Sequence, residues 1–351
     1  MTPYWLLFLF PALFALASTP TYRDTSRVRL NTAWVCALLA LTLMIGLRFR
    51  VGGDWYSYLE HIERASEMTV ATILSKAEPA YWMTAYWAVQ SGTGIVGLNL
   101  VTGLCFSLGL VYFCRSLPRP WLALATAVPY MVIVVSMGYS RQAAALGLVM
   151  LALVALGRQS VIWFIIWVIL GATFHKSAIL LLPIGALTAT RNRYLTGALI
   201  LIAGVFGYQT LLENEVDRLI SNYVDAQYQS SGALIRLGMN VFPASIFLIF
   251  RKRFHLAPAE YRVWRLISLI AIGLFVAFFV TSASTALDRV ALYCIPLQLY
   301  VFAHLPDVIG RFGKRNMMYV FLPLVFYALV LFVWLNYANN ASLWLPYLTI
   351  L

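Results

Sequence analysis

The chain has 351 residues, 62% of them hydrophobic and only 11% charged, with mean hydropathy +0.81. Soluble globular domains carry roughly 25% charged residues, so this chain cannot cover its own surface in water. Its net charge of +12 must first be located along the chain before an anionic partner such as nucleic acid is invoked.

Apolar runs recur from end to end, which predicts an all-α, polytopic transmembrane helical bundle, a single integral membrane domain over 1–351. A helix crossing the hydrocarbon core needs roughly 20 residues. In chain order the candidate spans are 3–20, 30–47, 95–114, 121–137, 141–157, 160–174, 177–189, 194–212, 234–250, 264–282, 289–305 and 317–336, about 12 in all (range about 10–13). The first run, Pro3 to Ser18, has no Lys or Arg before it and another span behind it. It reads as a retained span, not a signal peptide.

Threading these spans puts 21–29, 115–120, 158–159, 190–193, 251–263 and 306–316 on one side, with Arg265 at a span mouth. That side holds 16 of the 25 basic residues and three of the 13 acids, a net +13 against −1 on the other. Cytoplasmic loops carry the Lys/Arg excess, so this side is expected to be cytoplasmic and both termini to face outward. The basic excess is then topological, and nucleic acid is unnecessary. Cys36, Cys105, Cys114 and Cys294 lie in apolar runs without C-x-x-C spacing, which suggests neither zinc nor a disulfide framework.

The outer side carries the longest polar segments. The first, 48–93, is expected to hold interfacial amphipathic helices, and 213–233 forms a second outer-face segment. Gly52-Gly53 suits a tight turn or close approach to a ligand, and Asp54 stands where a helix N-cap would. Arg48 and Arg50 either flank a span or reach a ligand. Trp55, Tyr56 and Tyr58 suit an interfacial belt or sugar stacking. Glu78-Pro79 opens EPAYWMTAYWAVQ, whose aromatics make an interfacial stripe, with Glu78 a candidate site carboxylate.

Farther on, Arg141 and Gln142 open a span rich in small residues, Ala143 to Ala145, which permit close helix packing. Arg141 therefore either enters a protein interior or snorkels from a span end. His175 and Lys176 close an apolar run on the same face. A lone histidine there is a packing residue or, beside several arginines, a general base. Arg236 follows the second segment, and Asp288 and Arg289 either pair with each other or leave Arg289 facing inward, its guanidinium suited to phosphate oxygens. No D-x-D or E-x-D pair occurs in an early outer loop, and there is no Walker sequence and no His/Cys cluster. A reaction without metal, cofactor or nucleotide is expected.

R-x-R-x-G-G-D-x-Y-x-Y (Arg48 to Tyr58), E-P-x-Y from Glu78, Y-S-R-Q (Tyr139 to Gln142), F-H-K-S-A (Phe174 to Ala178) and D-R-x-x-x-Y (Asp288 to Tyr293) occur in that order. Together they resemble the EpsG family of bacterial exopolysaccharide and capsule proteins, akin to Wzy-type repeat-unit polymerases. The resemblance implies a GT-C-like polymerase or ligase architecture in the bacterial cytoplasmic (inner) membrane. It also implies joining of undecaprenyl-pyrophosphate-linked oligosaccharide units on the outer face, for exopolysaccharide, capsule or O-antigen. Membrane lipids, a chain-length regulator and a flippase are the partners it suggests. The short 213–233 segment departs from the large loop domain of O-antigen ligases.

On this reading Arg141 and Arg289, helped by Arg48 or Arg50, hold the pyrophosphate, and His175 takes the acceptor proton. Asp54, Tyr58, Glu78, Gln142, Lys176 and Arg236 bind substrate or orient the arginines. The rival readings are a lipid-linked oligosaccharide flippase or polysaccharide exporter, which would need polar groups through the bilayer depth, and a membrane O-acyltransferase. Spans that are clean inside argue against the first, and a histidine on the outer face argues against the second.

Overall fold

The computed structural model describes residues 1–21, 31–188, 193–207, 232–281 and 284–350. Among them the secondary structure is helical: α1 (Thr2–Ala17), α2 (Thr32–Gly46), α3 (Trp55–Ser66), α4 (Val70–Leu74), α5 (Pro79–Gln90), α6 (Gly94–Arg115), α7 (Pro120–Ala127), α8 (Ser140–Gly157) and α9 (Val161–Phe174). Then come α10 (Leu182–Thr188), α11 (Arg193–Gly207), α12 (Ala233–Phe250), α13 (Pro258–Phe278), α14 (Ser284–Ala291), α15 (Pro296–Ile309) and α16 (Met317–Tyr337). Among the described residues six helices are long and apolar enough to cross a membrane, within Gly94–Arg115, Ser140–Gly157, Ala233–Arg253, Pro258–Phe278, Thr285–Ile309 and Met317–Tyr337. Shorter apolar helices lie at Thr2–Ala17, Thr32–Gly46, Pro120–Ser136, Val161–Phe174, Lys176–Thr188 and Tyr194–Val205. The 48–93 segment forms α3, α4 and α5, whereas 213–233 falls almost wholly outside the described residues.

Local chemistry starts these helices. Asn31 caps α2 by accepting from the Trp34 N–H at 3.2 Å. Pro79, Pro120, Pro258 and Pro296 occupy the first helical position of α5, α7, α13 and α15, where a missing N–H costs nothing and φ is already helical. α7 continues as a π-helical stretch over Val128–Ser136, and the Trp344 indole N–H donates to its Ile133 carbonyl at 2.8 Å.

Antiparallel packing sorts the charges to two ends. α2 runs from Trp34, which faces Arg115 at 5.6 Å, to Arg48, which meets Asn99 on α6. α8 starts beside Arg48 at Ser140 and ends at Arg158, whose guanidinium donates to the Tyr112 hydroxyl on α6 at 3.0 Å. α8 packs between α6 and α9, and α9 returns to His175 at the Arg48 end. At the opposite end Arg119 grips Asp307 with two bonds of 2.8 and 3.2 Å and donates to the Lys314 and Arg315 carbonyls.

Arg48 is turned inward, only 1% exposed. Its guanidinium donates to the Ile45 carbonyl, the Val51 carbonyl at 3.2 Å, Asn99 at 2.9 Å and Ser140 at 2.7 Å. It thus ties the end of α2 to α6 and α8. Gly52 has φ +107°, and a side chain there would collide with the Met137 carbonyl, so its close approach is to the chain itself. The C-terminal segment straps the same loop. Phe49 and Gly52 N–H groups donate to the Leu348 and Leu343 carbonyls, and Ile350 donates to Leu47.

The spans are not clean inside. Asn240 donates to the Ala291 carbonyl at 2.9 Å, Gln298 donates to Asn240 at 2.7 Å, and the Tyr327 hydroxyl donates to Gln298 at 2.6 Å. This buried chain ties α12, α15 and α16 together, the use that membrane bundles make of amides between helices.

Replacing Arg48 with Gln leaves buried acceptors without donors, each at a cost of ~1–3 kcal/mol. The thermal midpoint of the detergent-solubilised R48Q protein should fall by at least about 5 °C, measured by fluorescence-detected aggregation, while R50Q should stay near wild type, because Arg50 is exposed.

Candidate functional site

Three distant segments meet at one carboxylate. Glu78 precedes α5, is 5% exposed and uses both oxygens. Oε2 accepts from the Arg141 guanidinium at 2.8 Å. Oε1 meets His175 Nδ1 at 2.7 Å and accepts the Lys176 backbone N–H at 3.2 Å. Burial pushes the Glu78 carboxyl up, but His175, Arg141 and the Lys176 N–H outweigh it and hold it at about 2. The carboxylate is therefore a fixed negative charge at any ordinary pH.

Arg141 and His175 are each presented where a helix is interrupted. Tyr139 interrupts the helix before α8 with φ −128° and ψ 67°, which places Arg141 in the first turn of α8. The positive end of the helix dipole there adds to the guanidinium charge. Its side chain is 32% exposed, so one side pairs with Glu78 while the other remains open. His175 ends α9 in an extended conformation, φ −150° and ψ 112°. With Nδ1 taken by Glu78, its Nε2 makes no hydrogen bond to a described residue.

Other site residues from the sequence gather around this trio in different ways. Asp54 occupies the N-cap position of α3, yet its side chain caps nothing. Burial pushes its carboxyl up, and the charges of Arg289 and Arg141 oppose that rise. Gln142 donates to the Arg289 backbone carbonyl at 2.7 Å and thereby fixes where that residue sits. Tyr58 is buried; burial first, then the Asp54 charge, pushes its phenol up to about 12. Lys176 is half-buried beside His175.

Arg236 is committed elsewhere. Its Nε and a terminal nitrogen donate to the two Asp288 oxygens, each at 2.7 Å. Consecutive helical residues do not face each other, which is why Asp288 pairs with Arg236 on α12 rather than with Arg289. Arg50 is exposed and lies over the Phe49 ring at 5.2 Å, on the surface of the strapped loop.

The aromatic-stripe reading missed Tyr81 and His61. Tyr81 is fully buried, carries Arg141 on its ring at 5.4 Å, and its hydroxyl meets His61 Nδ1 at 2.8 Å. His61 is half-buried. The sequence signal for Tyr81 was its place three residues after Glu78 in E-P-x-Y. The Ser177 and Tyr293 hydroxyls lie 2.9 Å apart, Ser177 standing two residues after His175.

A buried carboxylate that orients a histidine while leaving its second nitrogen open suits proton abstraction. The partly open Arg141 guanidinium beside them suits an anionic leaving group. The EpsG family model matches residues 31–349. No curated protein matches, and no solved structure matches.

Burial, with Arg141 and Arg64 adding to it, holds the His61 imidazole at about 4 rather than 6.5. The fold thus favours neutral His61; its contribution is complete above about pH 6.5 and is lost as pH falls toward 4. The thermal midpoint should fall across that window, and H61Q should flatten the slope. A slope unchanged in H61Q would refute the assignment.

Proposed function

The chain belongs to the EpsG family, and from that premise we propose that it is a polysaccharide polymerase, a glycosyltransferase that joins oligosaccharide repeat units carried on undecaprenyl pyrophosphate. The observation that carries the reading is the Glu78 carboxylate bonded to both His175 and Arg141. It couples a proton acceptor to a cation that suits a diphosphate, the two groups this reaction requires.

In the proposed step the acceptor hydroxyl gives its proton to His175 Nε2 as its oxygen attacks the anomeric carbon. The bond from that carbon to the diphosphate oxygen breaks, and the electron pair leaves with undecaprenyl pyrophosphate. Arg141 and Arg289 offset the developing negative charge with paired N–H donors. Single displacement inverts the anomeric configuration. Glu78 keeps His175 in one orientation, Asp54 and Gln142 hold Arg289, and Tyr81 supports Arg141 from below. Arg48 has no direct part, and Arg236 acts through Asp288.

We also propose about 12 crossings of the bacterial cytoplasmic membrane, with the termini and the Glu78 end outward. The support is the sorting of charge: the described basic loops, including Arg115, Arg119, Arg158 and 251–253, lie at the end away from Glu78. That is the arrangement expected when cytoplasmic loops hold the Lys/Arg excess.

The test is purified protein supplied with lipid-linked repeat units. Wild type should lengthen the glycan, and H175A and R141A should each elongate at least ~100-fold more slowly. Glu78→Gln should fall nearly as far and should also lower the thermal midpoint, because the same carboxylate seats α5. Units moved across the bilayer without elongation would favour a flippase. Full-length polymer from H175A at normal expression would refute the mechanism.

A further inference from the structure

A second concave, charged site lies at the other end of the bundle. The turn between α12 and α13 frames an open surface hollow of about 640 Å³ lined by Arg251, Lys252, His255, Leu256, Tyr261 and Arg265. That volume lies in the range of small-molecule sites. The location follows from neighbouring contacts: Phe254 packs on His304 at 5.9 Å, and His304 stands one turn before Asp307, the partner of Arg119.

No acid lines the cavity. Among the described residues Arg251, Lys252 and Arg265 form no ion pair or hydrogen bond. The acid in the first turn of α13, Glu260, turns away and accepts from the Tyr300 hydroxyl at 2.9 Å. Arg253 is also diverted, over the Phe250 ring at 5.8 Å. Three permanent cations, an imidazole and a phenol therefore converge on one hollow without a carboxylate to neutralise them.

We propose that this cavity binds the headgroup phosphate of an anionic membrane phospholipid. Phosphate matches the charge and the donors, since guanidinium and ammonium groups both serve it. A basic pocket between helices at a membrane face is a recognised setting for such headgroups. The lipid is favoured over a free phosphate by what adjoins the cavity. On α13, Leu269 (48% exposed) and Val276 (57%) continue the face that starts at Arg265, at the i, i+4 and i+11 positions. On α12, Ile249, two residues before Arg251, is 73% exposed. The phosphate thus sits where an apolar stripe begins, and acyl chains have a surface to follow. A loop that merely obeyed the positive-inside pattern would need neither the hollow nor the stripe. The inference does not depend on the reaction proposed at the Glu78 end.

The experiment is native mass spectrometry of full-length protein released from mixed vesicles of phosphatidylglycerol and phosphatidylcholine. The double variant R251Q/R265Q is compared with R311Q/K314Q, which removes the same charge from exposed positions at the same end outside the cavity. Wild type and R311Q/K314Q should retain phosphatidylglycerol at least tenfold over phosphatidylcholine, and R251Q/R265Q should lose that preference with its thermal midpoint unchanged. Millimolar inorganic pyrophosphate should leave the lipid in place. Equal retention by both doubles would overturn the proposal. So would displacement by pyrophosphate, which would make a free anion the ligand.

Discussion

The Glu78 carboxylate is the constraint on which the site's geometry depends. A buried charge is tolerated only when paired and hydrogen-bonded, and Glu78 draws its partners from residues 63 and 97 positions away. Meeting all three donors seats α5 against α9 and the start of α8. The same contact gives His175 one orientation and leaves part of Arg141 open. Stability and reactivity therefore share one interaction: whatever neutralises Glu78 would both loosen α5 and release the two groups proposed to act on substrate.

A second clasp frames the first. Arg48 joins the end of α2 to α6 and α8, and the C-terminal strap closes over the same loop. Gly52 lets that loop press on Met137, and Asp54 follows two residues later. The loop that places Asp54 before Arg141 and Arg289 is thus held from below by a buried guanidinium and from above by backbone hydrogen bonds. Two neighbouring arginines have opposite fates, Arg48 inside and Arg50 outside.

Hydropathy made the apolar helices legible, because a span needs only a local run of apolar residues. Charge alternation made the two ends legible for the same reason. The order of short motifs placed His175, Arg141, Arg289 and Glu78 in one group. What the sequence hid was pairing across long separations. Nothing local tells Arg48 from Arg50; the choice is made by Asn99 and Ser140. Asp54 reads as a cap until the fields of Arg141 and Arg289 are placed beside it. Asp288 reads as a partner for Arg289 until helix geometry sends it to Arg236. Tyr81 looks like one ring in a stripe, although burial separates it from Trp87 on the same helix. The amide chain from Asn240 to Gln298 escaped notice because isolated amides barely change an apolar window.

Opposite ends of the bundle are proposed to meet different phosphates: a diphosphate leaving group beside Glu78, and a lipid headgroup near Arg251. A cryo-electron microscopy structure with bound polyprenyl diphosphate measures this most directly. The account predicts diphosphate density within hydrogen-bond reach of both Arg141 and Arg289, with His175 Nε2 facing the same space. Diphosphate bound only among Arg251, Lys252 and Arg265, with the Glu78 end empty, would contradict it.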